Sequence, residues 1–450
     1  MSAQPLEEIA ELLLAAAKRN GATAADVVVA EGDSLDVGVR LGTVEKLKQA
    51  RQKHLGLRAF VGERSAVTSS ADFSRAALEK LAADTCALAR IIAPDPFSGL
   101  PNPADITTAT PDLDLYDPEV AGLTPERAIA LATEAEHAAM AADARITNSE
   151  GAEAAASTDQ VVYASSVGFR GTYRNSGVSL SAVPIASENG SMQRDYWYSA
   201  QRKLARLESP DAVGRKAAER VLRRLNARRV ATCEVPVIFD PDMASGLMRH
   251  IAAAVSGYSL YKGTSFLIGK LGQRIAPQFM TVVDDGTIIG ALGSKPFDGE
   301  GLATRRTVVI DQGVLTNYLF DTYSARKLQS HSTGNASRSV GSAPYVASTN
   351  FILQAGTTSP QEIIRSVKSG LYVTELIGFG VNPVTGDYSR GAVGQWIENG
   401  ELAYPVEEIT IAGNLLAMYD DIEIIGNDLD MRHSVIAPTI KIARMTVAGD

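Results

Sequence analysis

The sequence predicts an α+β protein. An N-terminal α/β-layered half has antiparallel strands and long helices, and a C-terminal half is mainly β. Three observations carry this. Capped, helix-period apolar runs are concentrated before residue 226. Strands cluster instead of alternating strictly with helices, which argues against a doubly wound sheet. After residue 227, β-branched runs separated by Asn, Asp and Gly turns dominate. A chain of 450 residues favours more than one domain. The expected division is 1–226 and 227–450.

The elements follow in order. Pro5 to Asn20 places Leu6, Ile9, Leu12, Leu13 and Ala16 on one helical face, and Asn20-Gly21 stops it. Segments 26–32, 34–41 and 53–62 have strand composition, and Gly62-Glu63 turns into 64–70. Ser74 to Ala93 reads as a helix capped by Asp72 or Ser74 and ended by Pro94. Prolines 94, 96, 101, 103, 111 and 118 make 94–118 an extended crossing. Thr124-Pro125 opens a helix to about Ala142. From Thr147 to Gln201 a strand meander is expected, with a turn at Asn148-Ser149-Glu150-Gly151. Ser209-Pro210 starts a basic helix ending near Asn226. Strand 233–241 then enters a helix containing GLMRHIAAAVSG, 246–257. The remainder reads as strands, with one helix at Ser359 to Ser369.

Composition bounds the function. A net charge of −9 argues against a dedicated nucleic-acid binder. Cys86 and Cys233 form no C-x-x-C pair, so neither a disulfide scaffold nor a zinc ribbon is expected. No stretch reaches the ~18 apolar residues of a membrane span. The first residues lack the basic start and cleavage site of a signal peptide. A cytoplasmic location is the expectation.

No short motif carries chemistry. His54, His137, His250, His331 and His433 are widely spaced, and H-E-x-x-H is absent. His250, alone on its helix, reads as a structural or surface residue. GTSFLIGK, 263–270, has five residues between its glycines, and Leu271 stands where a phosphate loop needs Ser or Thr. Neither G-x-G-x-x-G nor G-x-S-x-G occurs in a usable context. The cations Arg215, Lys216, Arg220, Arg223, Arg224, Arg228 and Arg229 accompany an apolar stripe of Val213, Ala217, Val221 and Leu225. That pattern is an amphipathic helix with a solvated basic face. Asp284, Asp285, Asp298, Glu300, Asp428 and Asp430 sit in Gly- or Asn-rich turns, where turn chemistry alone favours them.

Several long blocks do carry a resemblance. VVDDGT (282–287), FDGEG (297–301), STGNASR (332–338), 359–414 and IIGNDLD (424–430) resemble the TldD/PmbA family. GYSLYKGTSF ahead of LGQRIA (257–276) does too. The likeness is dense after about residue 235 and looser before it. TldD-type members carry H-E-x-x-x-H on a helix and a C-terminal cysteine, which makes them zinc peptidases; two histidines and the cysteine hold the metal and the glutamate activates water. PmbA-type members, also called TldE, lack this set and pair with a TldD subunit. Anchoring on Gly257 and Gly263 puts Met248 and Arg249 at the first histidine and the glutamate, and Ala253 at the second histidine. His250 falls between ligand positions. The C-terminal stretch has no cysteine.

The resemblance therefore implies a non-catalytic PmbA/TldE-type subunit of a heteromeric zinc metallopeptidase. No catalytic, cofactor-binding or metal-binding residue is assigned in this chain. Zinc is expected in a TldD-type partner, unfolded peptides as substrates, and a homodimer when the chain is isolated. Family associations are maturation of a peptide antibiotic, antitoxin turnover and a genetic link to DNA gyrase. Exposed strand edges could guide peptides by β-augmentation. Two alternatives stand beside this: an autonomous hydrolase with a site assembled from distant residues, and a gyrase- or DNA-interacting modulator using the 215–229 helix.

Overall fold

The computed structural model describes residues 5–107 and 109–449. Its N-terminal part runs α1 (Leu6–Arg19), β1 (Ala24–Arg40), β2 (Thr43–Val61), β3 (Arg64–Ser70), α2 (Arg75–Ile91), α3 (Pro118–Ala121), α4 (Pro125–Met140), β4 (Ile146–Ser165), β5 (Arg170–Glu188), β6 (Ser191–Arg194), β7 (Trp197–Gln201) and α5 (Pro210–Leu222). The Pro-rich crossing is irregular except for a short 3₁₀ turn and α3. The strands form one antiparallel seven-stranded sheet, ordered β3-β2-β1-β4-β5-β6, with β7 also on β5.

Helix starts fall where local chemistry puts them. Ser74, Thr124 and Ser209 each accept a hydrogen bond from the backbone N–H three residues on, satisfying a donor the helix leaves open. Two strand expectations need correction. Segments 26–32 and 34–41 are one strand, β1, running through Gly32. A Cβ there would meet Asp159 and Thr158 of β4, so glycine lets the strands approach and does not break them. Its partner β2 begins at Thr43, right after the two-residue Leu41-Gly42 turn, in which both residues have positive φ. Residues 43–49 of β2 are exposed on both faces, so the sequence offers no alternation there. Likewise Asn148–Gly151 is no turn. It is a bulged part of β4, with two register shifts against β5.

Helices cover one face of this sheet. Val27 and Val29 of β1 pack under α1 and α2, and Leu35, Val37 and Val39 under α4 and α5. Val28, Tyr163 and Phe169 point the opposite way and meet Phe297 of the C-terminal part. The two halves thus close on the helix-free face.

The C-terminal part runs β8 (Cys233–Phe239), α6 (Pro241–Ala254), α7 (Gly257–Tyr261), β9 (Val282–Asp285), β10 (Arg306–Asp311), β11 (Val314–Leu315), α8 (Thr322–Lys327), β12 (Ala336–Ser337), β13 (Tyr345–Val346), β14 (Phe351–Leu353), α9 (Pro360–Arg365), β15 (Ser369–Ile377), β16 (Asp387–Glu398), β17 (Glu401–Asn414), α10 (Leu415–Asp420), β18 (Ile422–Ile425), β19 (Val435–Ile436) and β20 (Ile440–Ala448). Strands β17-β16-β15-β8-β20 close into a barrel because β20 also pairs with β17. A second sheet, β11-β10-β9-β14-β19, lies beside it. One hydrophobic core joins barrel, second sheet and α6. Among the described residues no helix is long and apolar enough to cross a membrane.

Candidate functional site

Helix α6 carries the positions that the resemblance singled out. Asp240 caps it, accepting the Met243 N–H at 2.9 Å, and Pro241 occupies the first turn. Ala244, Leu247, Met248, Ile251 and Ala254 form its buried stripe, against β8, β14, β15 and β19. Arg249 and Ala253 are exposed one helical turn apart, and His250 is half-buried.

Met248, Arg249 and Ala253 do not share one face of α6. The structure does not bring them onto one surface: Met248 is fully buried in the core. Its place in an i, i+3, i+4, i+7 apolar stripe was the available sequence signal. The donor chemistry does not fit a zinc ion. Arg249 is a cation, Ala253 has no donor atom, and Met248 faces the core. Among the described residues no three His, Cys, Asp or Glu side chains converge as metal ligands.

The surroundings of α6 are cationic. His250 sits edge-on to the Tyr388 ring, at 6.1 Å between centroids. Burial first, then the charges of Arg390 and Arg249, push the imidazole below its ordinary value and favour its neutral form. Tyr388 is buried, and no acceptor meets its hydroxyl. The Nε of Arg390 is also buried without a partner.

The other end of α6 docks the two halves together. His433 Nε2 lies 2.9 Å from Asp242 Oδ1 and 2.7 Å from the Tyr198 hydroxyl. Arg432 stacks on Trp197 of β7, 3.8 Å from the ring centroid, and donates to the Tyr198 carbonyl and to Asp242. Burial opposes the charge on Asp242. The His433 hydrogen bond and the Arg432 charge outweigh it and hold the carboxyl below its ordinary range. Arg220 of α5 pairs with Asp195 of its own half and, across the same boundary, with Asp240. Burial pushes Asp240 up to about 7. Partners up to 235 residues apart make this cluster, so no sequence window could display it.

A third cluster lies where the sheet meets the C-terminal part. Asp26 receives both Arg58, in a forked pair down to 2.5 Å, and Arg338 at 2.6 Å, with the Tyr163 hydroxyl at 3.2 Å. Glu300 lies 3.8 Å from Arg58 and accepts the Thr322 N–H at 2.8 Å. Burial raises its carboxyl to about 7. Arg58, Glu300 and Asp321 border a cavity of about 700 Å³, walled by Tyr258, Tyr261, Tyr323 and Tyr345.

The remaining turn carboxylates are structural. Asp284 accepts from Asn335 and Thr349, and burial raises it to about 6. Asp298 accepts the N–H groups of Glu300, Leu302 and Ala336. Asp285 holds Thr287, Asp428 holds Thr439, and Asp430 pairs with Arg432. Residues 263–270 form turns with no helix following. The basic helix is charge-compensated. Arg215, Lys216, Arg220, Arg223, Arg224 and Arg229 all meet carboxylates, and Arg228 stacks on Tyr404.

Three family models match along the chain: PmbA/TldA metallopeptidase domain 1 over residues 25–89, the central domain over 118–225 and the C-terminal domain over 232–449. Metalloprotease PmbA of Escherichia coli O157:H7 is 38% identical over 438 residues, covering 97% of this chain and 94% of that protein. The chain belongs to the PmbA/TldD family. A structure from Bacteroides thetaiotaomicron, named as a candidate modulator of DNA gyrase, superposes with a TM-score of 0.93 at 29% identity and covers both chains fully. TldE from Thermococcus kodakarensis shares the fold, with a TM-score of 0.88 at 21% identity, covering 98% of this chain and all of that one.

Proposed function

We propose that this chain is a PmbA/TldE-type subunit acting beside a TldD-type catalytic partner, in the cytoplasm, on unfolded peptides. It supplies no catalytic residue and no zinc ligand of its own. The carrying observation is the donor set of α6: an exposed guanidinium and an exposed alanine replace ligand and base, while the third position is buried core. A cation at that face repels a second cation and cannot accept a proton from water. The assignment to residues 1–226 and 227–450 as two domains belongs to the same reading. The partner brings the metal, and this chain completes the surface around it. The isolated chain pairs with itself when no partner is present.

Metal analysis and co-purification test this. The chain purified alone should hold no stoichiometric zinc and cleave no unfolded peptide. Co-expressed with a TldD-type chain it should co-elute, and cleavage should vanish when the partner's histidines are replaced. Stoichiometric zinc with chelator-sensitive cleavage by the isolated chain would overturn the proposal. The charge compensation of the 215–229 segment favours this reading over nucleic-acid binding.

A further inference from the structure

We infer that the cavity between the Pro-rich crossing and α7–α8 binds an organic cation, an alkyl ammonium or guanidinium, with its charged head on Asp321 and Glu300 and its stem along tyrosine rings. Such a site needs neither a metal nor a partner chain, and it goes beyond the role proposed above.

The cavity, of about 700 Å³, is closed in by the β2–β3 turn, the crossing at 92–99, α7, α8 and segment 343–346. Its floor is acidic. Asp321 is 3% exposed and Glu300 1%. Glu300 Oε2 accepts the N–H of Thr322, the residue after Asp321, at 2.8 Å, which anchors it beside the Asp321 cap. Each carboxyl has one oxygen left over. Asp321 Oδ1 takes both the N–H and the hydroxyl of Ser324, at 2.8 and 2.5 Å, and Oδ2 meets no donor among the described residues. Glu300 Oε1 has only Arg58, at 3.8 Å, beyond hydrogen-bond reach. Neither oxygen is sealed off from solvent, and both side chains line the cavity.

The counter-charge is incomplete. Glu63, Asp95, Glu300 and Asp321 border the cavity against two cations, Arg58 and Lys327. Arg58 gives its forked hydrogen bonds to Asp26 instead. A buried carboxylate short of a partner is costly, and a cation delivered to the free oxygens relieves that cost.

The walls suit the rest of the ligand. Tyr261 meets Tyr258 and Tyr323 edge to face, with centroids 5.3 and 5.8 Å apart. Tyr258 and Tyr345 stand about half-exposed at the rim. Lys327 shows that these faces take a cation. Its Nζ lies 4.6 Å from the Phe97 centroid, 5.2 Å from Tyr323 and 5.6 Å from Tyr261. A buried acidic floor under an exposed aromatic rim selects a charged head on an apolar stem. The side chains of lysine and arginine in a peptide have this form, and so does a free alkyl diamine.

Isothermal titration calorimetry on the full-length chain separates these sources. The probes are N-acetyl-Ala-Lys-Ala-amide, the same peptide with norleucine or Glu in place of Lys, and 1,5-diaminopentane. The Lys peptide should bind about tenfold to a hundredfold more tightly than the norleucine peptide, the ratio expected for a charge-assisted hydrogen bond. Tighter binding of the Lys peptide than of the diamine assigns the cation to a peptide side chain; the reverse assigns it to a free amine. Asp321→Asn should remove most of the preference for Lys and leave the norleucine peptide unchanged, because Asn still caps α8. Lys327→Met should tighten Lys-peptide binding severalfold, since it clears the resident ammonium from the rings. Equal affinity for the Lys and norleucine peptides, tighter binding of the Glu peptide, or no binding of any probe would each overturn the site. So would an unchanged preference in Asp321→Asn or weaker Lys-peptide binding in Lys327→Met. None of these outcomes bears on zinc content or partner co-elution, so the two proposals fail separately.

Discussion

Replacing Glu300 with Gln tests the buried charge network by its pH dependence. The Glu300 carboxyl is buried with Arg58 at 3.8 Å, and its acidic neighbours Asp298 and Asp321 oppose ionisation. Burial is the largest influence, Arg58 acts against it, and the carboxyl ends at about 7, against an ordinary 4.5. The folded state thus binds this proton more tightly than the unfolded chain. Its contribution to stability is fully present below 4.5 and is lost as pH rises through 7. A difference of that size corresponds to about 3 kcal/mol, at 1.36 kcal/mol per pH unit. Gln cannot ionise, yet its carbonyl can still accept the Thr322 N–H. Glu300→Gln should therefore exceed the wild type by less than about 1 kcal/mol at pH 5 and by up to about 3 kcal/mol at pH 8.5. Asp298, which burial also raises, loses the opposing Glu300 charge in the variant, so its ionisation becomes easier and adds to the gain at high pH. The assay is the urea midpoint of each protein at pH 5, 7 and 8.5, with equal m-values checked. A variant less stable than the wild type by the same amount at every pH would refute the reasoning. It would mean that attraction to Arg58 outweighs burial.

Three further substitutions address other contacts. Asp26→Asn removes the shared anion of Arg58 and Arg338 and should cost about 3–5 kcal/mol at neutral pH by urea unfolding. Because the Asp26 carboxyl is held below its ordinary 3.8, the deficit should persist to acid pH and close only below that value. Gly56→Ala places a Cβ 1.7 Å from the Val340 carbonyl oxygen, so the 338–342 segment must lift off β2. A loss of about 1–3 kcal/mol is expected, with faster hydrogen exchange in 338–347; unchanged exchange there would contradict the packing. Met248→Ala should cost about 2–5 kcal/mol as a core truncation, whereas Arg249→Ala should change stability by no more than about 0.5 kcal/mol. Similar losses at both positions would contradict the orientation of α6.

The sequence by itself determined whatever depends on near neighbours. Ser74, Thr124-Pro125, Ser209-Pro210 and Ser359-Pro360 located helix starts because a cap and its N–H lie within three residues. Long matching blocks identified the family. Tertiary structure decided the rest. Residues 43–49 became strand because β1 pairs with them, although both faces are wet. Barrel closure needed β20 to meet β17 and β8 at once. Asp26 and Arg338, 312 residues apart, met only when the halves closed. Met248 and Arg249, adjacent in sequence, went to core and solvent because a helix turns about 100° per residue and one side had a core to bury against. Local hydrogen bonds and periodicity are written in short windows. Burial and charge pairing depend on surfaces that exist only after distant segments pack, and the candidate site is made of those.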